Sequence, residues 1–229
     1  MAPEGQETQR LQRLRALGTL REAYCDALLA GEEPSAERTI REAIDADISE
    51  CTIYDAIMAP ALRRIGEGWA SGELSIADEH LATAISTRMV ALQREIARVS
   101  ARRLTTRIML CGLEREQHVV GLEMAQSVLQ HSGYEVLMLG ANVPIETLAR
   151  AVERHRPAII GFSATMAITS KVLPAAIYEA RSADPGVGVI IGGAAASMRM
   201  EATAGTAVCT HVSDAVDIAD GLAQRSSFN

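Results

Sequence analysis

Residues 107–121, from Arg107 to Gly121, read RIMLCGLEREQHVVG. The opening run, Arg107–Leu113, is apolar and too short for a helix. A polar loop follows and ends on glycine, and an amphipathic stretch near Gly121–His131 comes next. A buried strand, a loop and a helix make one unit of a βα repeat. Apolar runs recur at Tyr134–Leu139, Ala158–Ser163, Val187–Ile191 and Ala207–Val212. Between and after them lie helical stretches near Pro144–His155, Ser170–Ser182, Ser197–Ala204 and Asp214–Arg225. Five strands alternating with five helices predict a doubly wound parallel sheet covered on both faces.

Upstream of this stretch the period is different. From about Gln9 to Arg102 it is helical throughout. Leu11, Leu14, Leu17, Leu20, Tyr24 and Leu28 form one apolar stripe, and Gly31 closes the helix that carries it. A second helix begins near Ser35, and a third runs from Asp47 towards Ile65 with a kink expected at Pro60. The glycines of Gly66–Gly72 predict an irregular corner. Ser75, with Asp78 three residues on, caps a long helix. Its buried face is expected to hold Leu81, Ile85, Met89, Leu92 and Ile96. The expected architecture is a bundle of four or five helices over residues 1–103, then a Rossmann-like five-stranded parallel sheet over 104–229. A linker falls around Ser100–Thr106.

Composition bounds the functions open to such a chain. The net charge is −7, with 17 acidic and 11 basic side chains in residues 1–100 and 12 and 11 in the remainder. Neither half offers the basic surface that a phosphate backbone needs, so direct nucleic-acid binding is not expected. Cys25, Cys51, Cys111 and Cys209 lie far apart and read as reduced small hydrophobes. The N-terminal residues MAPEGQETQR carry no apolar stretch of a signal peptide, and no apolar run approaches the ~18 residues of a spanning helix. A soluble cytoplasmic protein without membrane partners is the expectation.

In open parallel sheets, ligands bind outside the carboxyl ends of the strands. The first such loop holds Glu116-x-His118-x-x-Gly121, which is neither a dinucleotide fingerprint nor a P-loop. A metal-ligating histidine needs its second ring nitrogen held by an acceptor, and Glu116 stands within reach to do this. Taken alone, the pair also fits a solvated histidine beside a solvated glutamate. The third strand ends Ser163-Ala164-Thr165 and offers two hydroxyls. The fourth ends Gly192-Gly193, which fits a slot for a ligand beside the backbone and equally an ordinary tight turn.

Together these loops resemble the cobalamin-binding domain shared by methionine synthase, corrinoid methyltransferase carriers and some mutases. The resemblance covers residues 105–225 and rests on Glu116/His118/Gly121, Ser163/Thr165 and Gly192/Gly193 in order. It implies that His118 is the lower cobalt ligand, oriented by Glu116, and that the serine and glycine loops hold the nucleotide tail of the cofactor. Most members have Asp where this chain has Glu116, which keeps the carboxylate and lengthens its reach.

The helical half adds Trp69 and, after nine residues, Glu79-His80. Separately they read as a tryptophan at a bundle corner and a charged pair in a first helical turn. Together they resemble the light-sensing cobalamin domain of CarH-type transcriptional repressors. That resemblance implies that Trp69, Glu79 and His80 line the upper face of adenosylcobalamin. Two departures stand out. Where CarH-type repressors carry a MerR-like DNA-binding domain, this sequence has only about ten residues, not basic, before its first helix. A regulatory output is therefore expected to pass through self-association or a partner such as a transcription regulator. Ala70 stands where the studied members carry a histidine after the tryptophan, so the photoproduct is expected to differ.

The function expected is a non-enzymatic adenosylcobalamin photoreceptor. The alternative is a corrinoid carrier of a methyltransferase system, for which methylcobalamin would be the natural form. A mutase subunit and a cofactor-free interaction module fit less well, the first for want of a substrate barrel and the second because the motifs are intact.

Overall fold

A computed structural model describes residues 3–96, 104–194 and 205–226. The chain divides into two units, Met1–Ile96 and Ala97–Asn229. The first is helical: α1 (Pro3–Leu29), α2 (Glu33–Asp45), then α3 (Glu50–Thr52), a π-helical turn (Ile53–Met58) and α4 (Ala59–Ser71) in succession, and α5 (Ile76–Ile96). Leu20, Tyr24 and Leu28 of α1 are buried as their spacing predicts, but Leu11 and Leu14 are 49% and 55% exposed. The stripe outruns the bundle, because residues 6–16 of α1 are exposed on every side. The core is built from Tyr24, Ile40, Ile53, Tyr54, Ile57, Met58, Ile65 and Ile85.

Pro60 occupies the first turn of α4, and the irregularity expected there takes the form of the preceding π-helical turn. The wider winding accommodates a ring that has no N–H to donate. Gly66–Gly72 is not the irregular corner that its glycines predict. Helix α4 runs through it to Ser71 and stops at left-handed Gly72 (φ +81°). Gly68 serves packing instead, since a Cβ there would lie 2.9 Å from Leu74 Cδ1.

The Ser75 cap is present. Asp78 N–H donates to Ser75 Oγ (3.2 Å), while Ser75 N–H and Oγ–H donate to Asp78 Oδ2 (2.8 and 2.7 Å). The buried face of α5 is rotated from the one expected. It comprises Ala82, Ile85, Ser86, Met89, Val90 and Gln93, whereas Leu81 and Ile96 are exposed. Small residues allow close helix approach, and Ser86 Oγ lies 2.9 Å from the hydroxyl of buried Tyr24, satisfying both polar tips.

The second unit is the expected α/β sheet. Its strands are β1 (Arg107–Leu113), β2 (Glu135–Val143), β3 (Ile159–Ser163), β4 (Gly188–Gly192) and β5 (Thr206–Val208). They lie in the order β2-β1-β3-β4-β5, and every pairing is parallel. The helices are α6 (Val120–His131), α7 (Leu148–His155), α8 (Ala167–Ser170), α9 (Leu173–Ala183) and α10 (Ala215–Ser226). Helix α6 packs against α10, and α7 against α9. Every residue of β3 is buried, as a central strand covered on both faces requires. The helix expected over Ser197–Ala204 and most of the linker expected over Ser100–Thr106 lie outside the described residues.

The chain steps outward from β1 to β2, then returns to the other side of β1 for β3. That reversal is the switch point at which doubly wound sheets open a ligand crevice. The loops after β1 and β3 flank it. Among the described residues no disulfide joins the cysteines, and burial pushes the Cys111 thiol up to about 12. Among the described residues, no helix is long and apolar enough to cross a membrane.

Candidate functional site

Strand β1 delivers its loop through left-handed Arg115 (φ +71°), after which Glu116 turns inward. Glu116 is fully buried. Its Oε1 accepts the His118 backbone N–H (3.0 Å) and the His118 ring Nδ1–H (2.7 Å). Its Oε2 accepts the Thr165 N–H and the Thr169 hydroxyl, the latter at 3.0 Å. Burial alone would raise its pKa. The hydrogen bonds from the His118 ring, the Thr165 N–H and the His118 N–H outweigh that cost and hold the carboxyl below the ordinary glutamate range.

A carboxylate holding Nδ1–H fixes the imidazole tautomer and places the basic lone pair on Nε2. The His118 side chain is 35% exposed, so the ring edge reaches the crevice although its anchor does not. Loops after two non-consecutive strands thus meet on one carboxylate. The predicted pair of Glu116 and His118 is brought together. Thr165 joins it through its backbone N–H, a contact that no local sequence pattern signals. Thr169, which sequence reasoning missed, completes the set; its signal was a second hydroxyl four residues after Thr165.

Ser163 is buried, and its hydroxyl makes no hydrogen bond among the described residues. It pairs in register with Gly192 of β4. A Cβ on Gly192 would come no nearer than 3.8 Å to the Cys209 carbonyl oxygen, so the backbone leaves room there. Gly193 differs. It is left-handed (φ +98°), and a Cβ would lie 2.5 Å from Ala164 O, so the protein's own packing demands glycine. Gly121, in the first turn of α6, faces open space.

In the helical unit, Trp69 lies in the last turn of α4 and Glu79-His80 in the first turn of α5. A connection of four residues, Gly72–Ser75, joins the two helices, so all three residues occupy the same end of this helix pair. Trp69 is 36% exposed. Glu79 accepts the Thr83 hydroxyl (2.9 Å) and the His80 Nδ1–H (2.7 Å), while the His80 ring itself is exposed.

Two family models, each described as a B12 binding domain, match residues 106–219 and 20–93. The chain belongs to the B12-binding family. The HTH-type transcriptional repressor CarH of Myxococcus xanthus is 33% identical over 180 residues, which is 78% of this chain and 58% of the repressor. The chain therefore spans less than two thirds of that relative. Trimethylamine corrinoid protein 1 of Methanosarcina acetivorans is 27% identical over 148 residues, 63% of this chain and 68% of that protein. The structure of the Methanosarcina barkeri monomethylamine corrinoid protein superposes with a TM-score of 0.72 at 13% identity. It covers 88% of this chain and 97% of that one, and so shares the fold.

As a member of the B12-binding family, the chain is a cobalamin-binding protein. The residues fit the group. A tautomer-fixed histidine suits cobalt, the hydroxyl of buried Ser163 beside a side-chain-free strand end suits a threaded polar tail, and the open space at Gly121 suits a flat macrocycle.

Proposed function

We propose that this B12-binding protein is an adenosylcobalamin-dependent photoreceptor. In this reading His118 holds cobalt from below, with Glu116 orienting it. Ser163, Thr165, Gly192 and Gly193 receive the nucleotide tail, and Gly121 leaves room for the corrin. Trp69, Glu79 and His80 meet the upper ligand, and the helical bundle of residues 1–103 serves as its cap. Bound adenosylcobalamin supplies a cobalt–carbon bond that visible light breaks.

The observation that carries the reading is the placement of Trp69 and the Glu79–His80 pair at one end of α4 and α5, with the indole and imidazole both exposed. A bulky apolar ring left partly in solvent gains burial against an upper ligand and loses it when that ligand departs. Such a difference in contact is what biases one arrangement of a protein over another. Similarity to the CarH repressor over 180 residues supports the same reading. The output then runs through self-association or a protein partner such as a transcription regulator, because neither half carries a basic nucleic-acid surface.

Similarity to trimethylamine corrinoid protein 1 favours a second reading, a corrinoid carrier that presents methylcobalamin to partner enzymes. The absorption spectrum of adenosylcobalamin-loaded protein, before and after green light, separates the two. A photoreceptor converts faster than free cofactor and loses that advantage in Trp69→Ala. Conversion no faster than free cofactor, with strong preference for methylcobalamin, favours the carrier and removes the photoreceptor.

A further inference from the structure

Strand β2 contributes none of the residues that the motifs select, yet its end is bent onto the histidine loop. Residues 107–110 of β1 pair with 135–138 of β2, but Cys111 pairs with Gly140 and Leu113 with Val143, so β2 gains two residues over its partner. Gly140 is left-handed (φ +87°) within this double bulge. Bulges beside functional sites re-aim side chains. The residue re-aimed here is Asn142.

Asn142 is itself left-handed (φ +53°), a conformation that asparagine tolerates better than most residues. Its side-chain Oδ1 accepts the N–H of Arg115 at 2.7 Å, and its own N–H donates to the carbonyl oxygen of Glu116 at 2.9 Å. Arg115 is the other left-handed residue of this contact (φ +71°). One asparagine thus grips the peptide before Arg115 and the peptide after Glu116, on either side of the turn that swings Glu116 inward. Gly112 makes the approach feasible, since a Cβ there would stand 3.2 Å from Glu116 O and 3.4 Å from the Ala141 Cα.

We infer that Asn142 is a positioning residue for the lower cobalt ligand: it fixes the Glu116 backbone, and through the Glu116 carboxylate the orientation of the His118 ring. The inference rests on His118 being that ligand. Aspartate in its place keeps the acceptor and tolerates the backbone, glycine keeps only the backbone, and alanine keeps neither. Partners of a metal-bound histidine are worth roughly 10–100-fold in metal affinity. Asn142 acts one step further out, at the low end of that range.

The test is titration of the full chain with hydroxocobalamin, reading affinity and the visible spectrum of axial nitrogen coordination for Asn142→Asp, Asn142→Gly, Asn142→Ala and His118→Ala. The expected order is wild type close to Asn142→Asp, then Asn142→Gly, then Asn142→Ala with about a tenfold loss and a spectrum shifted towards that of His118→Ala. A fold defect alone would lower affinity without changing the spectrum of the bound fraction, and would overturn the inference. So would Asn142→Ala matching wild type while His118→Ala loses the histidine-bound spectrum. If His118→Ala keeps that spectrum, the assignment of His118 fails, and the inference with it.

Discussion

Glu116 has no solvent contact, yet it remains a carboxylate because four donors converge on its two oxygens. Replacing it by Gln keeps the shape but sets an amide N–H₂ against groups that are themselves donors. Glu116→Gln is expected to lower the stability of the cobalamin-free protein by about 2 kcal/mol in chemical denaturation. It should weaken hydroxocobalamin binding by roughly 10–100-fold. The paired glycines give a sharper contrast. Gly193→Ala places a methyl on the Ala164 carbonyl at a left-handed residue and is expected to destabilise the apoprotein by at least about 1–2 kcal/mol. Gly192→Ala has room, so its denaturation midpoint should match wild type while cobalamin affinity falls. Equal stability loss in both variants would remove the distinction. At this scale the Glu116–His118 contact was legible in the sequence, since Glu-x-His is a local pattern. It did not show Thr169 or Asn142, whose roles come from contacts across 53 and 27 positions that no local spacing encodes.

At the scale of elements, the strands of the second unit were legible because each is a short apolar run bounded by turn residues. The bundle was read less well, for two physical reasons. Glycine density at Gly66–Gly72 signals a turn, but Gly68 is small to admit Leu74 and not to bend the chain. On α5 the larger apolar residues Leu81 and Ile96 stay outside, while Ala82 and Ser86 face the core, so side-chain size misled the choice of face. The Ser75 cap was legible from spacing alone, and it starts the helix that presents Glu79 and His80. Ser75→Ala is expected to cost about 1 kcal/mol, read as a lower thermal midpoint of the apoprotein. The side-chain and backbone hydrogen bonds from Ser75 hold the Asp78 carboxyl below its usual range. The support it lends α5 is therefore complete above about pH 3.9 and is lost as pH falls through its lower folded value. Circular dichroism in acid should show that loss in wild type and its absence in Asp78→Asn.

For the whole molecule, the proposed output is a change in association. Sedimentation velocity of adenosylcobalamin-loaded protein is expected to give different species in the dark and after green light. Trp69→Ala should lessen the difference, and an unchanged distribution in wild type would place the output in a separate partner. All three scales depend on His118 as the protein ligand to cobalt. The most direct test is the electron paramagnetic resonance spectrum of the protein loaded with cob(II)alamin after growth with nitrogen-15 histidine. Coordination by His118 predicts that the triplet splitting from a nitrogen-14 ligand becomes a doublet and that His118→Ala abolishes the doublet. A triplet that survives the labelling would show the cofactor's own benzimidazole on cobalt and would contradict the account.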